Sequence, residues 1–211
     1  MTLDPRVIED GFAQDGQDPP VAGQVPSLTS TNNFINFCLT QNVPLTDGKQ
    51  IRDGSCNVVP MGSIIAKDKI PSAKFVFPLN FGKVPANQPF TAKLKLKNLQ
   101  AGSFTNAQLT YYAAPAQVNN DGVLIGHSHL VIEQLRSLDD TEPLDPTKFA
   151  FFKGLNSPLD GDSTLSAALD KGLPAGAYRM FSINTAANHQ PALSAVAQHG
   201  SCDDAVYFTA E

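Results

Sequence analysis

Two histidines one residue apart, His127 and His129, stand in the stretch Gly122-Val-Leu-Ile-Gly-His-Ser-His-Leu-Val-Ile-Glu133. The other two histidines, His189 and His199, lie together in Asn188-His-Gln-Pro-Ala-Leu-Ser-Ala-Val-Ala-Gln-His199. A neutral imidazole nitrogen binds transition metals near neutral pH. In an extended segment an H-x-H pair puts both rings on one side, about 7 Å apart at their origins for a rise of ~3.3 Å per residue. Rings so placed can converge on one ion if further ligands arrive from elsewhere. We therefore expect one metal centre held by His127, His129, His189 and His199. The competing reading is two polar loops whose histidines cap strand ends.

An all-imidazole shell lacks the thiolates of closed structural zinc sites. It suits copper, iron, manganese or zinc, and affinity order alone favours copper. Four histidines leave one or two positions free on a five- or six-coordinate ion, where water, dioxygen or a small substrate can bind. The expected activity is a metal-dependent oxidase or oxygenase acting with dioxygen on small aryl alkenes or phenols. The alternative is a non-catalytic, secreted protein that binds metal or contacts a host surface. Glu133 shares the strand face of the pair but lies about 13 Å beyond His129 at ~3.3 Å per residue, which makes it a supporting group rather than a ligand. Asn188, Gln190 and Gln198 could accept an imidazole N–H and fix its tautomer, or bind backbone in turns. Tyr111 and Tyr112 read as core. No nucleophile motif or phosphate loop is present, and Asp139-Asp140 and Asp203-Asp204 read as solvated turns.

The elements that must position these groups are strands. Residues 90–96 alternate Phe, Ala, Leu and Leu with polar side chains, the period of a half-buried strand. Similar signals cover 74–77, 108–112, 124–135, 149–152, 163–169, 177–183, 192–197 and 205–208, with a short helix as the rival for 163–171. Short strands separated by turn residues every dozen or so positions predict an all-β antiparallel sandwich. Residues 1–28 are expected to form an irregular N-terminal arm, because Asp15-Gly-Gln-Asp-Pro-Pro20 cannot hold regular structure. Residues 29–211 are expected to form one sandwich domain.

The hydrophobic share of 42% and charged share of 17% are those of a globular chain. With a net charge of −5 and no basic run, nucleic-acid binding is not expected. Lys93, Lys95 and Lys97 read as the wet face of a strand. No apolar run approaches the ~20 residues of a membrane helix, so no membrane partner is expected either. Residues 1–20 also lack the apolar stretch of a secretory signal. Cys38 and Cys56 flank a polar, turn-rich loop and are expected to be bridged, leaving Cys202 as a thiol. The chain-entropy estimate for such a bridge is roughly 3 kcal/mol. Three buried thiols are the alternative. A bridge would imply an oxidising compartment.

The strings Ser30-Thr-Asn-Asn-Phe-Ile-Asn-Phe-Cys38, Cys56-Asn-Val-Val-Pro-Met61, Gly126-His-Ser-His-Leu-Val-Ile-Glu-Gln134 and Asn188-His-Gln-Pro191 resemble a family of secreted fungal proteins of largely unassigned function. That resemblance implies an extracellular protein. Gly126-His-Ser-His-Leu-Val-Ile-Glu133, followed by Leu173-Pro-Ala-Gly-Ala-Tyr178 and His189, also resembles small immunoglobulin-like domains with a histidine-rich signature, and implies an immunoglobulin-like sandwich. His127, His129 and Glu133 match the first motif of cupins, a likeness that places manganese ahead of copper. The second cupin motif fails here, because Arg179 stands where a histidine should follow Pro174-Ala-Gly176.

Overall fold

Strand alternation produces the interior. In Phe90–Lys97 (β3) Ala92, Leu94 and Leu96 are buried while Thr91, Lys93, Lys95 and Lys97 face water. The structure is a computed structural model that describes residues 3–199 and 201–211. The chain divides into two compact units, Met1–Thr46 with Ile51–Val58, and Asp47–Gln50 with Val59–Glu211.

The first unit is built from short 3₁₀ turns at Pro5–Val7, Asp10–Ala13 and Phe37–Thr40. Asp4 caps the first, its carboxylate accepting from Arg6 N with Pro5 at the opening position, where a missing N–H does no harm. A disulfide joins Cys38 to Cys56 as expected. Cys56 also exchanges backbone hydrogen bonds with the segment at Pro44 and Thr46.

The second unit is the β-sandwich. Its strands among the described residues are Ser72–Phe77 (β1), Gly82–Val84 (β2), β3, Leu99–Gln100 (β4), Leu124–Leu135 (β5), Phe151–Leu155 (β6), Thr164–Leu169 (β7), Gly176–Ala186 (β8) and Ala205–Ala210 (β9). One sheet has the order β1-β3-β7 and the other β2-β9-β8-β5-β4, with β6 also paired to β5. The pairings are antiparallel except the short β2/β9 and β4/β5 contacts, which are parallel. Phe75, Leu94 and Leu165 from one sheet and Leu130, Ile132, Met180, Val206 and Phe208 from the other belong to one buried core. At about 25 cal/mol per Å² of apolar surface, this shared burial is the main force closing the sandwich.

The strand expected at 163–169 forms as β7, Thr164 to Leu169 pairing with β3, and the rival helix does not. Two other local expectations fail. Residues 108–112 are turns, because the Asn106 side chain accepts from Gln108 N at 2.8 Å and Asn106 O accepts from Thr110 N. The side-chain bond offers the backbone an alternative to a ladder. Residues 192–197 make only an isolated bridge from Ser194 to Ile65 rather than a strand.

Two outcomes follow from this packing. Phe208→Ala removes a fully buried ring and should lower unfolding free energy by about 3–5 kcal/mol, read as a shifted urea midpoint at unchanged slope. Thiol titration of denatured, non-reduced protein should find one reactive group, Cys202.

Candidate metal centre

The odd-numbered residues of β5 point away from the core that receives Leu124, Leu130 and Ile132. On that outer face, antiparallel register sets His127 opposite Thr185, His129 opposite Ile183 and Glu133 opposite Arg179. An outer face is ordinarily wet, yet His127 is 0% exposed. Segment 101–116 roofs it. Thr105 N donates to Ala187 O and Ser103 N to Gly126 O, while Asn188 Nδ2 donates to Thr110 O at 2.8 Å and Gln190 Nε2 donates to Ala114 O. Asn188 and Gln190 thus bind backbone and hold the roof, and imidazole orientation is set elsewhere.

His189 reaches the pair from the turn after β8. Its own N–H donates to Ala186 O, and its backbone adopts φ +73°, a left-handed conformation uncommon for a residue with a side chain. The ring returns over the sheet to lie 3.2 Å, Nδ1 to Nε2, from His127. His129 Nε2 is 3.1 Å from the same His127 nitrogen. Ligand atoms of His127, His129 and His189 all fall within 4.8 Å of one another. His199 is exposed and outside this group, and among the described residues no cysteine or carboxylate joins it. Glu133 instead accepts from Arg179 Nε at 3.0 Å, a pair at the far end of the same face in which Glu133 is buried and Arg179 half-buried.

Two backbone carbonyls decide which nitrogens carry lone pairs. His127 Nδ1 lies 3.2 Å from Ser103 O and His189 Nε2 lies 3.0 Å from Thr105 O. A carbonyl can only accept, so each of these ring nitrogens carries the proton. The opposite nitrogens, His127 Nε2 and His189 Nδ1, are thereby left as bare acceptors facing each other. Fixing the far N–H in this way is how outer groups orient metal-binding imidazoles. Nitrogens 3.1–3.2 Å apart subtend about 95–100° at an ion roughly 2.1 Å from each, within the range of metal–imidazole geometry. Thr185 Oγ1 is 3.4 Å from both His127 ring nitrogens and donates to Ala186 O at 3.0 Å.

Electrostatics favours the neutral, ligating form. Burial, followed by the neighbouring His129 and His189, holds His127 down at about 4, and burial with His189 does the same for His129. Aromatic rings flank each imidazole: Phe104 at 6.1 Å from His127, Phe152 at 5.2 Å from His129 and Tyr111 at 5.4 Å from His189. Phe104 and Phe152 are 52% and 49% exposed, so the rim of the site meets solvent. Cys202 is buried, with burial and Asp203 raising its pKa.

Fold and site together define an all-β protein with a roofed three-histidine cluster on the outer face of one sheet. Residues 73–211 match the CLU5d N-terminal domain, and the chain belongs to that family. It is 45% identical over 210 residues to Pathogenicity cluster 5 protein d of the fungus Colletotrichum graminicola (strain M1.001), an alignment covering 99% of this chain and 43% of that protein. The chain therefore spans less than half the length of that relative. No solved structure matches it.

The lowered pKa values fix a stability window. The unfolded chain takes up protons on these imidazoles near 6.5, whereas folded His127 and His129 do so only near 4. Between those values the unfolded state binds more protons, so metal-free protein should lose stability as pH falls from about 6.5 to about 4. His129→Gln should flatten that slope in urea melts. Gly126→Ala would place a methyl on Thr185 O, and should part β5 from β8 and abolish metal binding.

Proposed function

We propose that this chain is an extracellular metal-binding domain, its ion held by His127 Nε2, His129 Nε2 and His189 Nδ1. The observation that carries the reading is the pair of carbonyls, Ser103 O and Thr105 O, which turn two buried lone pairs toward one point. Secretion is supported by the Cys38–Cys56 disulfide, a bond that persists in oxidising compartments. Manganese drew its rank from a carboxylate at Glu133. With Glu133 engaged by Arg179, three neutral imidazoles favour copper or zinc.

Three protein ligands leave coordination positions open, and a bound redox metal would supply a centre where dioxygen or a small molecule can bind. The half-exposed rings of Phe104 and Phe152 beside the ligands favour aromatic or alkene substrates. This is the oxidase or oxygenase reading. The name of the Colletotrichum relative, a pathogenicity-cluster protein, favours a second, non-catalytic role at a host surface using the same metal site.

Chelator-stripped protein titrated with Cu²⁺ or Zn²⁺ should bind about one ion. His127→Ala, His129→Ala and His189→Ala should each weaken binding by more than about tenfold, the lower bound for disturbing even an outer partner of a ligand. His199→Ala and Glu133→Gln should leave it unchanged. Full metal content in all three cluster variants would end the metal reading. With metal loaded, dioxygen uptake on phenols or aryl alkenes that disappears in His129→Ala selects the oxygenase, and no uptake on any of them selects the binding role.

A further inference from the structure

The sheet opposite the histidines carries a second feature that a metal centre does not use. Lys93, Lys95 and Lys97 occupy the wet face of β3 and are all exposed. Antiparallel register sets Lys74 of β1 directly across from Lys95. Like charges directly opposite on a sheet destabilise it. Lys74 is relieved by Asp204, 3.2 Å away. Among the described residues, Lys93, Lys95 and Lys97 belong to no ion pair, although the chain as a whole carries −5.

Edge protection does not account for them. Lysines that guard a sheet against edge pairing belong on edge strands, whereas β3 is the middle strand of β1-β3-β7. The neighbours on this face are mixed. Ser72 lies across from Lys97, Lys93 stands between Phe77 of β1 and Ser166 of β7, and Lys95 between Lys74 and Thr164, so the ammonium groups stand beside hydroxyl groups and one exposed ring. Along the strand they repeat every two residues, about 6.8 Å.

We propose that this face of the sandwich binds a linear acidic polysaccharide, a polymer bearing a carboxylate on successive sugars. A row of evenly spaced positive charges on a flat strand complements evenly spaced negative charges on an extended chain. Lysine suits this partner, because its compact, hydrated charge attracts anions without the fixed two-point geometry arginine imposes. Ser72 and Ser166 are placed to meet sugar hydroxyls. Duplex nucleic acid fits less well, since its negative charges follow one another every ~1.7 Å of axis while the cations repeat about every 6.8 Å. An anionic membrane fits less well too, since the same face offers no amphipathic helix to enter it. The site is independent of the metal centre, which lies on the other sheet.

The test uses the whole chain and polygalacturonate as probe, by calorimetry or affinity electrophoresis. Binding should weaken steeply as salt rises from about 20 to about 300 mM, through counterion release. The triple variant Lys93→Gln, Lys95→Gln, Lys97→Gln should lose about tenfold or more in affinity, with an unchanged circular-dichroism spectrum and unchanged metal content. The control triple Lys67→Gln, Lys148→Gln, Lys171→Gln, which removes equal charge from exposed positions elsewhere, should bind as the parent does. Equal loss in both triples, no loss in the first, or binding to phosphatidylserine vesicles or duplex DNA without binding to polygalacturonate would overturn the proposal.

Discussion

The antiparallel ladder between β5 and β8, ten residue pairs from Gly126–Ala186 to Leu135–Ala177, is the constraint on which both core and site depend. Side chains alternate across a strand, so this one register sends Leu130 and Ile132 inward and His127 and His129 outward. A slip of one residue would exchange the two sets and place imidazoles among leucines. The burial of Leu130, Ile132 and Met180 therefore holds the histidines in place. At the end of the ladder Gly126 lets β8 approach where any Cβ would collide with Thr185 O. That approach brings the turn bearing His189 over His127.

The cluster is also a place where polar groups are buried at a cost. His127 is fully enclosed, and its Nε2 lies within 3.2 Å of ring nitrogens from both other histidines. The carbonyls of Ser103 and Thr105 take the protons that could otherwise have softened this contact. An N–H on His129 Nε2 can satisfy His127 Nε2 but cannot also serve His189 Nδ1. Buried acceptors without donors are expensive, and a cation answers all three nitrogens at once. The rest of the second unit compensates, with a shared hydrophobic core large enough to bear a locally unfavourable site. Such a balance is expected where a fold supports function rather than stability alone.

Much of this is legible in the sequence. Alternation at 90–96 and in Leu124–Leu135 marked the two strands that matter most, and H-x-H in an extended segment placed both rings on one face. The distance along the strand already separated Glu133 from the pair. The roof was not legible. Its contribution comes from the main-chain oxygens of Ser103 and Thr105, and a carbonyl leaves no side-chain signature. Residues 108–112 looked like a strand because Leu109, Tyr111 and Tyr112 carry β propensity, but Asn106 turned the chain first. His199 matched its three companions in type and in nearness to His189, yet nine intervening residues let it turn outward. Nearness in sequence sets contact only where a ladder or turn enforces it.

The two candidate sites divide the sandwich between them. The six-stranded sheet presents His127, His129 and His189 under a roof and beside aromatic rings. The three-stranded sheet presents Lys93, Lys95 and Lys97 bare to water. A low-polarity, enclosed site strengthens directional bonds to a single ion. An open, charged face favours long, flexible partners that exchange counterions along their length. The same core residues fix the spacing of both, since Leu94 and Leu96, buried between the lysines, belong to one core with Leu130 and Ile132, buried beside the histidines. A substitution on one outer face reaches the other only through that core, so changes confined to exposed lysines leave the histidine cluster untouched.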